Sequence, residues 1–228
     1  MGIHDGHRGR LREQFNQHGL DSFNDITALE LLLFYSVPRK DTNEIAHRLL
    51  GHFGSLHDVF NASLEELMEV PGISFNSAVL ISLLPQLMKK VEMSKVSGMK
   101  TINSVSDAAE YFIPRFMNER DELLLILCLD SKNNIICCRE IARGTVNSVD
   151  ANSRRIVEMA LKHKAVSVIL AHNHPRGVAV PSREDDHTTQ YIYKALRLVG
   201  INLDDHLIIA DDNYFSLANA GLINRMRY

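Results

Sequence analysis

Residues 171–186 read Ala-His-Asn-His-Pro-Arg-Gly-Val-Ala-Val-Pro-Ser-Arg-Glu-Asp-Asp, and this stretch contains the residues that indicate both the fold and the chemistry of the chain. It follows an apolar run, residues 166–170, that is rich in β-branched side chains and short enough to be a buried strand. Successive side chains of a strand point to opposite faces of a sheet. His172 and His174 are therefore predicted to share one face at the strand end, with Asn173 on the other.

The second half of the stretch predicts the start of a helix. Gly177 and Pro181 turn the chain, and Ser182 can cap a new helix whose first turn contains Asp185. Two imidazoles and one carboxylate are nitrogen and oxygen ligands, which suit Zn²⁺ in a catalytic site that keeps a fourth position open. The alternative is that the histidines are ordinary surface groups and that the acid only interacts with the helix dipole.

The spacing of these residues resembles a known motif. His-x-His-Pro, separated by six residues from Ser-x-x-Asp, resembles the JAMM (JAB/MPN) metalloprotease motif, and with Gly177, Pro181 and Ser182 the string is similar to the RadC family. Arg176 departs from the family pattern, in which a small residue, usually Ser, is expected. An arginine there could change substrate preference, but it leaves the ligand residues untouched.

The resemblance implies both a fold and a site. The implied fold is an α/β domain with a mixed sheet of the JAB/MPN, cytidine-deaminase-like type. The implied site binds zinc through His172, His174 and Asp185, and Ser182 helps to hold the developing oxyanion. The resemblance also implies an upstream glutamate that acts as general base.

Two candidates for that base precede the ligands, Glu122 and Glu140. A zinc-polarised water must lose a proton on attack and the leaving amine must gain one, and a carboxylate within hydrogen-bond reach can serve both steps. Glu122 is preferred because it stands immediately before an apolar strand, as the family's glutamate does, whereas Glu140 lies inside a strand with an outward-facing pattern. His206 and Asn173 are candidates to hold the ligand side chains in position without binding the metal themselves. His206 could equally be a strand-edge histidine.

The chain of 228 residues has an ordinary globular composition, with 45% hydrophobic and 23% charged residues. Its formal net charge of -3 and its pI of about 6.4 give no global basic field for nucleic acid. No apolar run approaches the length of about 20 residues that spans a bilayer, and the N-terminus lacks the apolar core of a signal peptide. The three cysteines, Cys128, Cys137 and Cys138, suggest reduced thiols, so we expect a cytoplasmic protein without a membrane partner.

Residues 1–95 are predicted to form a small all-α domain. Within it, residues 70–74 and the apolar helix after them resemble a helix-hairpin-helix, a module whose backbone amides contact phosphates. Gly72 fits the pattern, but Ser74 stands where the motif's second glycine normally lies. Both residues are candidate DNA contacts. The alternative, which the serine favours, is a helical hairpin that packs in the domain without binding phosphate. The polar segment 89–100 is interpreted as a linker between the two domains.

Residues 101–228 are predicted to form the RadC/JAB domain. The order helix, two strands, helix, strand, helix, strands predicts a mixed sheet with helices on its faces. The predicted strands occupy residues 123–129, 135–142, 166–170, 206–210 and 214–217. The second strand is expected to continue at residues 146–149 after a break, and Asn152 or Ser153 is expected to cap the next helix.

The preferred hypothesis is a zinc-dependent hydrolase that cleaves peptide or isopeptide bonds of a peptide or protein substrate with a metal-activated water. The alternative is a DNA-associated repair protein or nuclease that binds DNA through the N-terminal domain. A nucleobase deaminase ranks last, because its His-x-Glu and Pro-Cys-x-x-Cys strings are absent from the sequence. The intact ligand set argues against a non-catalytic scaffold. The substrate's identity and the oligomeric state stay open.

Overall fold

The computed structural model describes residues 3–144, 149–175 and 177–226. Arg176 and the expected strand residues 146–148 therefore lie outside the described residues. Two compact units divide the chain, residues 1–88 and residues 89–228. The domain boundaries expected from the sequence stay a prediction.

The first unit consists of helices. They are α1 (Ile3–His18), α2 (Asp25–Leu33), α3 (Asn43–Phe53), α4 (Leu56–Asn61), α5 (Leu64–Met68) and the start of α6 (Phe75–Val96), with a 3-10 turn at Gly19–Ser22. Its core is formed by buried aliphatic side chains, among them Leu29, Leu49 and Ile81. Ser63 caps α5 through a capping box with Glu66.

The turn between α5 and α6 contains the two candidate DNA contacts. Gly72 has a φ of 102°, and a Cβ there would lie 2.9 Å from Cγ1 of Ile45, so this position requires glycine. Ser74 is not among the residues with positive φ, and its hydroxyl oxygen accepts the N–H of Ser77 at 3.3 Å. The turn therefore tolerates serine at this place, while the helix-hairpin-helix and its DNA contacts stay predictions.

The interpretation of residues 89–100 as a linker is wrong for most of that segment, because α6 continues to Val96. Lysine and glutamate are good helix formers, and Glu92 and Lys95 form an ion pair of 2.6 Å one turn apart. The helix ends just before Gly98. In the part of the chain that the structure describes, no helix combines the length and the apolar character needed to cross a bilayer.

The second unit has helices packed on a five-stranded mixed sheet. In chain order its elements are α7 (Val105–Phe116), β1 (Leu123–Leu129), β2 (Ile135–Arg143), α8 (Val149–Lys162), β3 (Ser167–Asn173), α9 (Arg183–Leu198), β4 (Asn202–Ala210), β5 (Asn213–Ser216) and α10 (Leu222–Arg225). The strand order is β2-β1-β3-β4-β5, in which β3 and β4 are parallel and the other neighbours antiparallel. This topology confirms the predicted fold class, a mixed-sheet α/β domain after an all-α region.

Side-chain alternation divides the sheet residues between two cores. On one face, Ile126 of β1 and Leu170 of β3 pack with side chains of α8 and α9. On the other face, Leu127 and Ile169 pack with side chains of α7. His172 follows Leu170 by two residues, so its side chain lies on the α8 and α9 face near the carboxyl end of β3.

The segment between β2 and α8 differs from the sequence-based expectation. Helix α8 begins at Val149, where a continuing strand was expected. Asn152 and Ser153 therefore lie inside the helix and do not cap it. The helical apolar face, with Ile156 and Ala160 fully buried, packs against the sheet, and this packing outweighs the local preference of Val149 for strand.

Candidate metal centre

Three predicted ligands meet where β3 ends and α9 begins. The Nε2 atoms of His172 and His174 are 3.0 Å apart. Asp185 places Oδ1 3.2 Å from Nε2 of His172 and Oδ2 3.5 Å from Nε2 of His174. Among the described residues, these three form the only group of His, Cys, Asp or Glu side chains that could hold a metal ion.

The Asp185 carboxylate is fixed from one side by Ser182, the N-cap of α9. Oδ2 accepts the Ser182 N–H at 2.8 Å and its hydroxyl at 2.7 Å, and the Asp185 N–H donates to Ser182 Oγ at 3.1 Å. Burial acts to raise the pKa of Asp185, but the neighbouring His172 ring and the hydrogen bonds from Ser182 outweigh it and lower the pKa. The carboxylate is therefore ionised, and Oδ1 faces the histidines.

His174 is oriented by the loop that follows it. Its Nδ1 lies 3.1 Å from the carbonyl oxygen of Val178. A carbonyl only accepts hydrogen bonds, so Nδ1 of the neutral ring carries the proton and Nε2 presents a lone pair. Gly177 allows the loop to pass close by, since a Cβ there would lie 3.1 Å from Cβ of His174.

His172 is oriented from the interior of the domain. Its Nδ1 lies 2.9 Å from Nε2 of His206, and Nδ1 of His206 lies 2.7 Å from the hydroxyl of Thr189. Burial lowers the pKa of His206 to about 3, so this ring is neutral near pH 7. His206 thus contacts a predicted ligand. Thr189 was not predicted, although its position four residues after Asp185 places both on one face of α9.

Asp205 anchors the strand that carries His206. Its carboxylate accepts the N–H of His206 at 2.7 Å, the N–H of Ala218 at 2.8 Å and the hydroxyl of Ser216. Burial raises the pKa of Asp205, and these hydrogen bonds act in the opposite direction. The carboxylate ties β4 to the segment after β5 and so fixes the main chain at His206.

Asn173 reaches the strand beside it and not the ligands. Its Oδ1 accepts the N–H of Leu123 at 2.7 Å, and its Nδ2 donates to the carbonyl oxygen of Asp121 at 3.1 Å. These two bonds hold the peptide groups on both sides of Glu122. The Asn173 side chain therefore fixes the main chain of the residue that the sequence favours as general base.

The two candidate bases lie in different surroundings. Glu122 is exposed immediately before β1. Glu140, on β2, is exposed and forms an ion pair of 3.0 Å with Arg143. Neither carboxylate belongs to the group of three ligand atoms, so neither is a candidate ligand among the described residues.

The donor set suits a divalent metal ion. Bond lengths of about 2.0–2.2 Å in tetrahedral geometry place neighbouring ligand atoms roughly 3.3–3.6 Å apart. The three distances between the donor atoms of His172, His174 and Asp185 are 3.0, 3.2 and 3.5 Å. Two imidazole lone pairs at this separation repel each other unless a proton or a metal ion lies between them. The three residues could therefore hold Zn²⁺ and would leave a fourth position open.

Fold and site together define a class of protein: an α/β domain in which a strand end and the start of a helix present two histidines and an aspartate as a possible metal site. A family model described as a RadC-like JAB domain matches residues 102–222, more than half of the chain. A UPF0758 protein of Fusobacterium nucleatum subsp. nucleatum is 36% identical over 225 residues, which cover 96% of this chain and 97% of that protein. A UPF0758 protein of Bordetella petrii is 35% identical over 214 residues, which cover 94% and 95%. The chain belongs to the RadC-like JAB domain family, which confirms the resemblance found in the sequence.

Proposed function

We propose that the chain is a zinc-dependent hydrolase of the JAMM type that cleaves peptide or isopeptide bonds of a peptide or protein substrate. The main support for this proposal is the convergence of the donor atoms of His172, His174 and Asp185. A Zn²⁺ ion bound there would polarise a water molecule and bring its pKa towards neutrality. Membership of the RadC-like JAB family supports a JAMM-related domain, and the proposal extends that domain to an activity.

Glu122 is the general base of this proposal. Leu124 of β1 pairs with His172 of β3, and alternate strand residues share a face, so an extended main chain directs Glu122 to the side of His172. The carboxylate takes a proton from the attacking water and passes it to the leaving amine. Its exposure leaves room for a substrate, and the bonds from Asn173 hold its main chain in place.

Ser182 holds the developing oxyanion in this proposal. Its hydroxyl donates to Oδ2 of Asp185, but its N–H donates to the same oxygen. When the hydroxyl rotates towards a substrate, the N–H still holds the carboxylate. Removing an oxyanion donor of this kind typically lowers kcat by about 10²–10³.

Metal analysis of the full chain tests the site. We expect one zinc ion per chain in the wild type, and its loss when His172 or His174 is replaced by alanine. His187→Ala, an exposed histidine on α9, is the matched control and should keep the metal. Full zinc occupancy in the variant lacking both His172 and His174 would overturn the proposal.

A proteome-wide comparison of cleaved peptide bonds tests the chemistry. We expect new termini with the wild type and with Glu140→Gln, and none with Glu122→Gln, because the proposal assigns the base to Glu122, whereas Glu140 is engaged in an ion pair with Arg143. Equal cleavage by the wild type and by Glu122→Gln would remove Glu122 from its role.

DNA association through the helical unit is a second candidate function. The positive φ of Gly72 and the start of α6 directly after residue 74 favour it, because hairpin amides and a helix N-terminus can contact phosphates. Affinity of the full chain for duplex DNA that falls steeply with salt would support this candidate. An absence of binding at low salt would exclude it.

A further inference from the structure

A chain of three hydrogen bonds, two buried and one partly buried, connects the main chain of one proposed ligand to the side chain of another. The Thr189 hydroxyl is 2.6 Å from the carbonyl oxygen of Asp185 and 2.7 Å from Nδ1 of His206. Nε2 of His206 is 2.9 Å from Nδ1 of His172. Thr189, His206 and His172 are 0%, 3% and 9% exposed, so water cannot readily take the place of any partner.

Only one arrangement of protons satisfies all three bonds with neutral rings. The carbonyl oxygen of Asp185 accepts, so the single hydroxyl proton of Thr189 points to it. The hydroxyl oxygen must then accept from Nδ1–H of His206, which leaves Nε2 of His206 as an acceptor. Nδ1 of His172 therefore carries a proton, and its Nε2 presents a lone pair to His174 and Asp185.

We infer that Thr189 is a positioning residue that fixes the tautomer and the ring orientation of His172 through His206. The inference rests on the proposed zinc site, and it adds a residue that touches neither metal nor substrate. A metal-binding histidine usually donates its second N–H directly to a carboxylate, a carbonyl or a water. Here His172 reaches a carbonyl only through an imidazole and a hydroxyl. One turn of α9, from Asp185 to Thr189, thus supplies a ligand and controls a second ligand on β3.

Histidine ring signals of the ¹⁵N-labelled, zinc-free full chain test the proton arrangement directly. We expect wild-type His206 to be protonated on Nδ1 alone, with Nε2 giving the shift of an unprotonated acceptor. In Thr189→Val the hydroxyl acceptor is lost, so we expect the two tautomers of His206 to mix. The opposite tautomer of His206 in the wild type, with the proton on Nε2, would overturn the inference whether or not the chain binds zinc.

Competition with a chelator measures zinc affinity, and so tests whether the hydroxyl of Thr189 supports metal binding by His172. Thr189→Val keeps the side-chain shape but removes the hydroxyl, and we expect affinity to fall by about 10–100-fold, as for other partners of metal-bound histidines. Thr189→Ser restores the hydroxyl and should stay within about threefold of the wild type. Thr188→Val makes the same substitution one residue away on α9 and is the matched control.

The outcomes separate this inference from the proposed function. If the wild type binds no zinc, the proposed function fails, and the ring signals still decide the proton arrangement. If the wild type binds zinc but Thr189→Val and Thr188→Val have equal affinities, the role of Thr189 is refuted. If Thr189→Val does not fold, the zinc affinity of Thr189→Ser and the wild-type ring signals test the role of Thr189. A loss of zinc affinity in Thr189→Ser would also refute that role.

Discussion

The Nε2 atoms of His172 and His174 face each other across 3.0 Å, and their other ring nitrogens are both engaged elsewhere. With neutral rings, two lone pairs meet beside the Asp185 carboxylate. We therefore expect zinc to stabilise the folded chain, by about 2.7 kcal/mol when free zinc exceeds its Kd by 100-fold. Calorimetric melting with and without Zn²⁺ measures this effect. The variant lacking both histidines should show no response, and an equal rise in its Tm would mean that zinc binds elsewhere.

Asn173 should support Glu122 without contributing to metal binding. Asn173→Ala removes two hydrogen bonds and leaves the buried N–H of Leu123 without its acceptor, so we expect a loss of about 1–3 kcal/mol in the free energy of unfolding. Zinc affinity should stay at the wild-type value, in contrast to Thr189→Val. Urea unfolding, hydrogen exchange at Leu123 and chelator competition measure the three effects. Unchanged exchange at Leu123 would contradict the role of the Asn173 amide.

Two capping boxes of the same composition allow the structural and metal-related roles of Ser182 to be separated. Ser104 and Asp107 form a capping box on α7, as Ser182 and Asp185 do on α9. Loss of a serine cap costs about 1 kcal/mol, so Ser104→Ala and Ser182→Ala should destabilise the zinc-free chain similarly. Only Ser182→Ala should weaken zinc binding, because Asp185 loses its hydroxyl donor. Equal zinc affinities of the two variants would show that the Ser182 hydroxyl does not support metal binding through Asp185.

Glu119 should make the stability of the second unit depend on pH. It lies between Lys89, at 2.6 Å, and Arg143. Burial acts to raise the pKa of Glu119, but hydrogen bonds and charges of Lys89 and Arg143 outweigh it and lower the pKa below its usual 4.5. The unfolded chain therefore binds the proton first as the pH falls, so this stabilisation is present above pH 4.5 and is lost below it.

Glu119→Gln tests this dependence. We expect it to lower the free energy of unfolding by about 1 kcal/mol at pH 7, a value that allows for solvent screening. The difference from the wild type should shrink as the pH falls below 4.5. Urea titrations at several pH values measure it, with Glu110→Gln as the control for replacing an exposed glutamate on α7. A difference that stays constant with pH would exclude the ion pairs as its source.

The proposed ligands could be found from the sequence because their arrangement is local. His172 and His174 are two residues apart at a strand end, and Asp185 is three residues after a helix cap, so short-range geometry brings each pair together. The roles of Thr189 and His206 depend on β4 pairing in parallel with β3 beneath α9. A short sequence motif does not predict such a contact between segments that are far apart in the chain. The four-residue spacing from Asp185 to Thr189 predicts only that the two residues share a face of the helix.

Two segments were predicted wrongly because their local composition is compatible with more than one secondary structure. The polar residues 89–100 suggested a linker, but α6 continues through them to Val96, because helix-forming residues extend a helix that is already nucleated. Val149 suggested a strand, but α8 begins there and buries Ile156 against the sheet. In both places the local composition allowed two structures, and contacts or continuity with neighbouring elements selected one.

The two histidine rings are held by surroundings that differ in their exposure to solvent. His172 is locked by side chains inside the domain, whereas His174 is 20% exposed in its side chain and relies on the carbonyl of Val178, a residue 70% exposed in a loop. A change in the loop that displaces the Val178 carbonyl would therefore disturb the orientation of His174 and leave that of His172 intact.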